Sequence, residues 1–225
     1  MNLKFLGIGG AFNTVQGCNC AFIKEGDKIL FIDLGLDSFS KIIKYNLLHE
    51  INDVYVVITH THGDHVGGLP TFIQYCSNIK HIKVKIIDNS IDFTNKLVKF
   101  LNFAAVNVFD YTFVKVEQLP FYFGLRLKIT THAPSLECYS IIFTKNGEHV
   151  LYTSDSNDIE FVKEKIKDNS FVKIYCDVSC KGNKHINFND LKHEDKSKLI
   201  LMHLQDSKLY EEVKKEGFMV PDYFI

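Results

Sequence analysis

Three imidazoles and a carboxylate fall at His60, His62, Asp64 and His65, a density of nitrogen and oxygen donors that suits divalent cations. In an extended segment side chains alternate, so His60 and His62 project to one side and can grip one ion. Asp64 and His65 are adjacent and must diverge, which suits a second ion a short distance away. Burying such a cluster without metal would be costly. Three further donors stand at the exits of apolar strands: His132 after Leu127–Thr131, Asp155 after Val150–Ser154 and His203 after Leu199–Met202. Strand exits are where α/β architectures gather functional groups. Donors of this kind, without an obvious thiolate, suit Zn²⁺ and also Mn²⁺ or Fe.

The elements that must position these groups are legible from periodicity. Val54–Ile58 is uninterrupted and β-branched, as a buried strand is, and feeds the histidine cluster. Val66–Ile73 follows as a glycine-relaxed entry into a helix, continued over Thr71–Cys76. Asn2–Leu6 predicts a strand before the turn Gly7–Gly10. Cys20–Lys24 and Lys28–Asp33 predict a hairpin around Glu25-Gly26-Asp27. Ser38–His49 predicts a helix with Ser38 as N-cap. Lys83–Ile87 reads as a strand, Ser90–Phe103 as an amphipathic helix, and Tyr111–Thr131 as two or three strands. Cys138–Thr153 reads as a hairpin closed by Lys145-Asn146-Gly147-Glu148. Helices over Asp158–Lys167, Asn187–His193 and Ser207–Lys215 alternate with strands Val172–Asp177 and Lys198–His203. No internal repeat is visible. The pattern calls for two packed sheets with helices outside.

Composition bounds the function. At 225 residues and 46% hydrophobic the chain can bury a sizeable core, and residues 1–225 are expected to form a single domain. A net charge of −1 with scattered lysines lacks the basic stripe of proteins that hold long nucleic acid. The N-terminus enters a strand without a signal-peptide pattern, no apolar run approaches the roughly 20 residues that span a bilayer, and the six cysteines show no secreted-framework spacing,. A cytoplasmic location is expected. Cys18-x-Cys20 and Cys176-x-x-x-Cys180 read as small buried thiols rather than as metal sites.

The His-x-His-x-Asp-His run, then an isolated histidine, a strand-terminal aspartate and a late strand-terminal histidine, resembles the pattern of the metallo-β-lactamase superfamily. The likeness covers essentially the whole chain in the correct order. It implies an α/β four-layer αββα sandwich. One metal would be held by His60, His62 and His132, another by Asp64, His65 and His203, with Asp155 bridging both. Two divalent ions, Zn²⁺ before Mn²⁺, would then hold a bridging hydroxide for in-line attack, which places Asp64 in the catalytic set as well as among the ligands. Lactamases of the superfamily commonly carry Cys where Asp155 stands and are secreted, so β-lactam hydrolysis is not expected.

Within that superfamily, Gly7–Phe12, Ile32–Gly35 and His62–Leu69 are similar to the ribonuclease Z branch. Ribonuclease Z carries a long tRNA-binding arm between its third metal histidine and its bridging aspartate. Here little more than the Cys138–Thr153 hairpin separates His132 from Asp155, which leaves an arm-less RNA endonuclease as the alternative reading. Gly9–Thr14, Tyr175–Ser179 and Met202–Leu204 resemble the compact cyclic-nucleotide phosphodiesterases of the branch, the phage anti-Pycsar enzymes among them. That resemblance implies a homodimer acting on a small anionic nucleotide. It would hydrolyse 3′,5′-cyclic nucleotides to nucleoside monophosphates, defeating cyclic-nucleotide antiphage signalling. Ribonuclease Z has a histidine where Cys176 stands, so His185, in a Gly-Asn-Lys loop, is the candidate proton donor; the alternative is an exposed loop histidine. Asp177 is a candidate anchor for a metal-bound histidine, and Thr59, Thr61 and Ser154 are candidate supporting hydroxyls. His49, His81, His149 and His193 read as surface or helix-end residues. The aromatic clusters Phe109–Phe113 and Leu119–Phe123 could each stack a nucleobase for about 1–3 kcal/mol, although core or dimer contact is the simpler reading.

Overall fold

A computed structural model describes residues 1–224. Six strands, β1 (Lys4–Gly7), β2 (Cys20–Glu25), β3 (Lys28–Ile32), β4 (Asp53–Val57), β5 (Val84–Ile87) and β6 (Tyr111–Val114), lie side by side in chain order in one sheet. Five more, β7 (Gly124–Thr130), β8 (Cys138–Lys145), β9 (Glu148–Tyr152), β10 (Phe171–Asp177) and β11 (Leu199–Met202), form a second sheet, also in chain order. In each sheet the first two pairings are antiparallel and the remainder parallel. The repeat that is invisible in the residues is therefore present in the topology.

Alternation within the strands explains the layers. Leu30, Ile32, Tyr55 and Val57 share a core with Ile141, Phe143 and Leu151 of the second sheet. Their neighbours Ile29, Phe31, Val54 and Val56 pack outward on Ile42 of α1 (Ser38–Lys44), Phe72 and Ile73 of α3 (Leu69–Tyr75), and Phe93 and Leu97 of α4 (Ile91–Phe103). A short α2 (Gly63–Val66) precedes α3. On the far side α5 (Ile159–Lys167) and α6 (Ser207–Lys215) contribute Phe161, Val162, Leu209 and Val213. The order helix, sheet, sheet, helix is the expected αββα sandwich. Asn146 and Gly147, both left-handed at φ 53° and 81°, make the tight connection that closes β8 on β9.

Three local expectations are corrected. Helix α1 stops at Lys44 rather than His49, because the chain turns left-handed at Asn46 (φ 50°). Its N-cap is Asp37, with no side-chain capping bond; Ser38 is buried inside the helix. The Asp37 carboxylate is engaged elsewhere, accepting from the Cys18 amide at 3.1 Å and pairing with Lys41 at 2.9 Å. Asn187–His193 is only a 3-10 turn at Phe188–Leu191, with Asn187 capping it. By contrast Ser90, Asp158 and Asp206 accept from the amides three residues on, capping α4, α5 and α6,.

The loop after β3 clasps α2. Leu34 donates its amide to the His65 carbonyl at 2.7 Å, and Gly68 donates to the Leu34 carbonyl at 2.8 Å. A Cβ on Gly35 would stand 2.1 Å from the Asp64 carbonyl oxygen and 2.5 Å from Cys18 Cβ. Only glycine fits there. Gly35→Ala is expected to destabilise the fold by about 1–3 kcal/mol or more and to lower metal content per chain, read by thermal melting and elemental analysis. An unchanged melt would show that the loop can yield.

Candidate metal centre

Seven side chains from four strand exits meet at one end of the sandwich. His60 lies in the loop after β4, and His62 is the extended N-cap of α2 (φ −67°, ψ 150°). Asp64 and His65 sit in α2 itself and, contrary to the divergence expected of neighbours in an extended segment, bring His65 Nε2 and Asp64 Oδ2 to 3.3 Å of each other. His132 follows β7, Asp155 follows β9 and His203 follows β11. Asp33, Ser154 and His203, each just beyond a strand, are left-handed at φ 62°, 54° and 55°. Such backbone costs about 1–3 kcal/mol per non-glycine residue and gathers where function demands an orientation.

The donors sort into two groups around the two oxygens of Asp155. On one side His62 Nδ1 lies 3.0 Å from His60 Nε2 and 3.3 Å from His132 Nε2, and both Nε2 atoms lie 3.6 Å from Asp155 Oδ2. On the other, His65 Nε2 is 3.3 Å from Asp64 Oδ2, 3.3 Å from His203 Nε2 and 3.2 Å from Asp155 Oδ1. His203 Nε2 is 3.2 Å from Asp64 Oδ2 and 3.3 Å from Asp155 Oδ1. Donors placed tetrahedrally at about 2.1 Å from one centre stand about 3.4 Å apart. Both groups match that edge length.

The hydrogen bonds behind the rings fix which nitrogens face inward. His65 Nδ1 donates to Asp33 Oδ2 at 2.8 Å, and His132 Nδ1 donates to the Lys184 carbonyl at 2.7 Å. In the neutral rings their Nε2 atoms therefore carry lone pairs, and these lone pairs point at other donors. Asp155 Oδ1, buried, makes no hydrogen bond. The arrangement calls for positive charge at its centre. Burial alone would depress His203, but the Asp155 and Asp177 carboxylates outweigh it and push it up to about 10. His65 is raised in the same way against burial, by Asp155 and Asp33. Burial would raise Asp155; His203, His65 and His60 hold it well below the carboxylate range instead. His60 is depressed, by burial first and then by His65. Cations can replace such protons, with proton release. The clusters His60–His62–His132–Asp155 and Asp64–His65–His203 are thus compatible with metal binding.

Asp33 is the residue that sequence reasoning passed over. It is fully buried and accepts from the Thr59 amide at 2.7 Å, from Thr59 Oγ1 at 2.8 Å and from His65. Ser154 Oγ in turn donates to Thr59 Oγ1 at 2.6 Å. This chain of bonds ties the strand exit that carries Asp155 to the ring of His65. A buried carboxylate at a strand end, Ile32-Asp33-Leu34-Gly35, was the available signal. Thr59 and Ser154 are supporting hydroxyls as expected; Thr61 is half-buried and outside the chain.

His185 is not a remote loop residue. Its Nδ1 donates to Asp177 Oδ2 at 2.7 Å, its ring stacks on His203 with centroids 5.1 Å apart, and Nδ1 lies 3.9 Å from Asp155 Oδ2. Burial would lower His185, and Asp177 outweighs it, so the group is raised. Asp177 also stands 3.2 Å from His203 Nδ1, off the line of a hydrogen bond. His185 and Lys184 help to line a cavity of about 650 Å³ above the cluster. The aromatic clusters singled out in the sequence do not line it. Phe121 and Phe123 pack on Tyr55 and Phe143 in the interior. Phe109 lies exposed in the loop before β6. None of the six cysteines belongs to either cluster, and burial pushes Cys18 up to about 11 and Cys76 up to about 12. Among the described residues no helix is long and apolar enough to cross a membrane.

Comparison with known proteins agrees with this geometry. Residues 1–220 match the family model described as anti-Pycsar protein Apyc1. The anti-Pycsar protein Apyc1 of Paenibacillus sp. (strain J14) is 28% identical over 227 residues, covering 92% of this chain and 90% of that protein. Ribonuclease Z of Pediococcus pentosaceus is 35% identical, but over 83 residues that cover 35% of this chain and 26% of that one. Among solved structures, the metallo-β-lactamase fold protein YhfI of Bacillus subtilis superposes with a TM-score of 0.73 at 19% identity, covering 95% of this chain and 90% of that chain. The fold is that of the metallo-β-lactamases.

Proposed function

The chain belongs to the anti-Pycsar Apyc1 family, and from that premise we propose that it is a metal-dependent phosphodiesterase that hydrolyses 3′,5′-cyclic nucleotides to nucleoside monophosphates. The observation that carries the reading is the division of donors around Asp155. Oδ2 faces His60 and His132, which His62 joins, and Oδ1 faces His65 and His203, which Asp64 joins. His60, His62 and His132 would hold one divalent ion, Asp64, His65 and His203 a second, with Asp155 shared. Two such ions supply Lewis-acid charge at a phosphoryl group and lower the pKa of water to about 7. Four buried carboxylates, Asp33, Asp64, Asp155 and Asp177, balance two divalent cations. The nitrogen and oxygen donors favour Zn²⁺, with Mn²⁺ as the second choice.

The chain's own groups do the rest. Asp33 and the Lys184 carbonyl hold His65 and His132 in the tautomers that turn Nε2 inward. Asp177 holds His185 by Nδ1, which leaves Nε2 to deliver a proton to the leaving 3′-oxygen. The cavity of about 650 Å³ is of the size usual for small-molecule sites, about 300–1,000 Å³. An RNA endonuclease is disfavoured because β8 and β9, a tight hairpin, fill the interval in which ribonuclease Z carries its arm. The same reading includes a homodimer, a single hydrolase domain over residues 1–225 and a cytoplasmic setting.

The test is to incubate protein loaded with Zn²⁺ or Mn²⁺ with a panel of cyclic mononucleotides and identify products by chromatography. Nucleoside 5′-monophosphate is expected, and no turnover of any panel member would remove the reading. Chelation should stop turnover. It should also lower the melting temperature, since each ion at a hundredfold excess over its Kd stabilises by about 2.7 kcal/mol. Readdition of metal should restore both.

A further inference from the structure

Two large apolar side chains beside the metal cluster stand open to water: Phe12 is 95% exposed and Leu36 70%. Both line the cavity above the cluster, as do Ala11 and Ala133. The polar part of the lining outside the metal cluster comes from Ser179, Lys184, His185 and Gln205. Scattered exposed apolar residues need no explanation; two that border a functional cavity do.

Neither side chain rides on loose backbone. The loop that carries Phe12 is pinned beside His203, where the Gly10 amide donates to the Leu204 carbonyl at 2.9 Å and Asn13 Nδ2 donates to the same oxygen at 2.8 Å. Leu36 follows Gly35, which is in close contact with the Asp64 carbonyl. Each apolar group is thereby fixed relative to a residue of the Asp64–His65–His203 cluster. Anchored backbone with an uncovered side chain is pre-organised to receive a flat apolar surface.

We propose that Phe12 and Leu36 form the clamp that takes the faces of the substrate's nucleobase while its phosphate lies at the metal cluster. The inference rests on the cyclic-nucleotide reading and adds the residues that select for a base. A base offers a π-face to stack on Phe12, and the clamp's side chains bring no charge to oppose it. No base-stacking role was legible for Phe12 in the sequence, because it sits in a Gly-Gly-Ala-Phe-Asn turn rather than in an aromatic cluster.

The experiment compares wild type with Phe12→Ala and Leu36→Ala, both exposed positions whose truncation leaves the core untouched. KM is measured for a 3′,5′-cyclic nucleotide, and inhibition constants for a nucleoside 5′-monophosphate and for ribose 5-phosphate, which differ by the base. Phe12→Ala is expected to raise KM and the nucleotide inhibition constant on the order of 10-fold, with Leu36→Ala smaller. Ribose 5-phosphate inhibition and metal content should stay unchanged, and Phe12→Trp should retain binding. Equal weakening of both inhibitors would overturn the clamp, as would no weakening of either. So would Phe12→Ala converting a dimer to monomers in sedimentation while both inhibitors weaken alike, since a second copy would then be the occupant. A wild type that turns over no cyclic nucleotide would instead remove the underlying functional reading.

Discussion

Asp155→Ala is expected to lower cyclic-nucleotide hydrolysis on the order of 10³-fold or more and to reduce the metal bound to fewer than two ions per chain. The two oxygens of Asp155 face the two donor groups, at 3.2–3.3 Å on the His65 side and 3.6 Å on the His60 side. Losing any single histidine leaves one group complete, whereas losing this carboxylate opens both. Removing one partner from a buried charged set ordinarily costs roughly 3–5 kcal/mol. The imidazoles around Asp155 can shed protons in response, so the cost falls short of unfolding. Circular dichroism and a chelator-matched melt check that the variant folds; elemental analysis counts the ions. Asp155→Asn keeps the shape and one oxygen acceptor, and should recover metal in part but little activity. Full activity in Asp155→Ala would remove the shared-carboxylate mechanism. Activity lost with two ions still bound would show that the bridge is not what holds them.

How much of this was legible beforehand depends on the range over which each signal acts. The histidine cluster was readable because its donors are neighbours in the chain, and His132, Asp155 and His203 because apolar strands end at them. The starts of α4, α5 and α6 were readable from periodicity to within a residue, and a capping side chain at each, Ser90, Asp158 and Asp206, sharpens the boundary. The cap of α1 was misread at Ser38, where a tertiary contact engages Asp37 instead. The His62 ring shows the limit of local reasoning. Strand alternation correctly put it beside His60, but nothing in the sequence says that it turns Nδ1 to the cluster where His60 and His132 turn Nε2. Asp33 was hidden for a related reason. It lies 32 residues from His65 in sequence, and only the parallel pairing of β3 with β4 brings their exits together. Phe12 and Leu36 carry no periodic signal at all, since loop side chains are placed by the backbone bonds of their loops.

His185→Gln separates chemistry from architecture more sharply than any ligand change. The ring is held by one hydrogen bond to Asp177 and by stacking on His203, and it belongs to neither proposed ligand set, so two ions should still bind. Expulsion of a sugar alkoxide is slow without a proton, and a positioned acid contributes typically 10²–10⁴-fold. The rate constant for a cyclic nucleotide is therefore expected to fall by about that factor. A nitrophenyl phosphodiester, whose phenolate leaves unprotonated, should slow by no more than a few-fold. The contrast between the two leaving groups is the diagnostic reading. A purely structural role would slow both substrates equally, and that result would return His185 to the status of a loop residue that merely borders the cavity. Asp177→Asn should show the same contrast more weakly, because Asn can still accept from Nδ1 but no longer supplies the charge that favours the protonated ring.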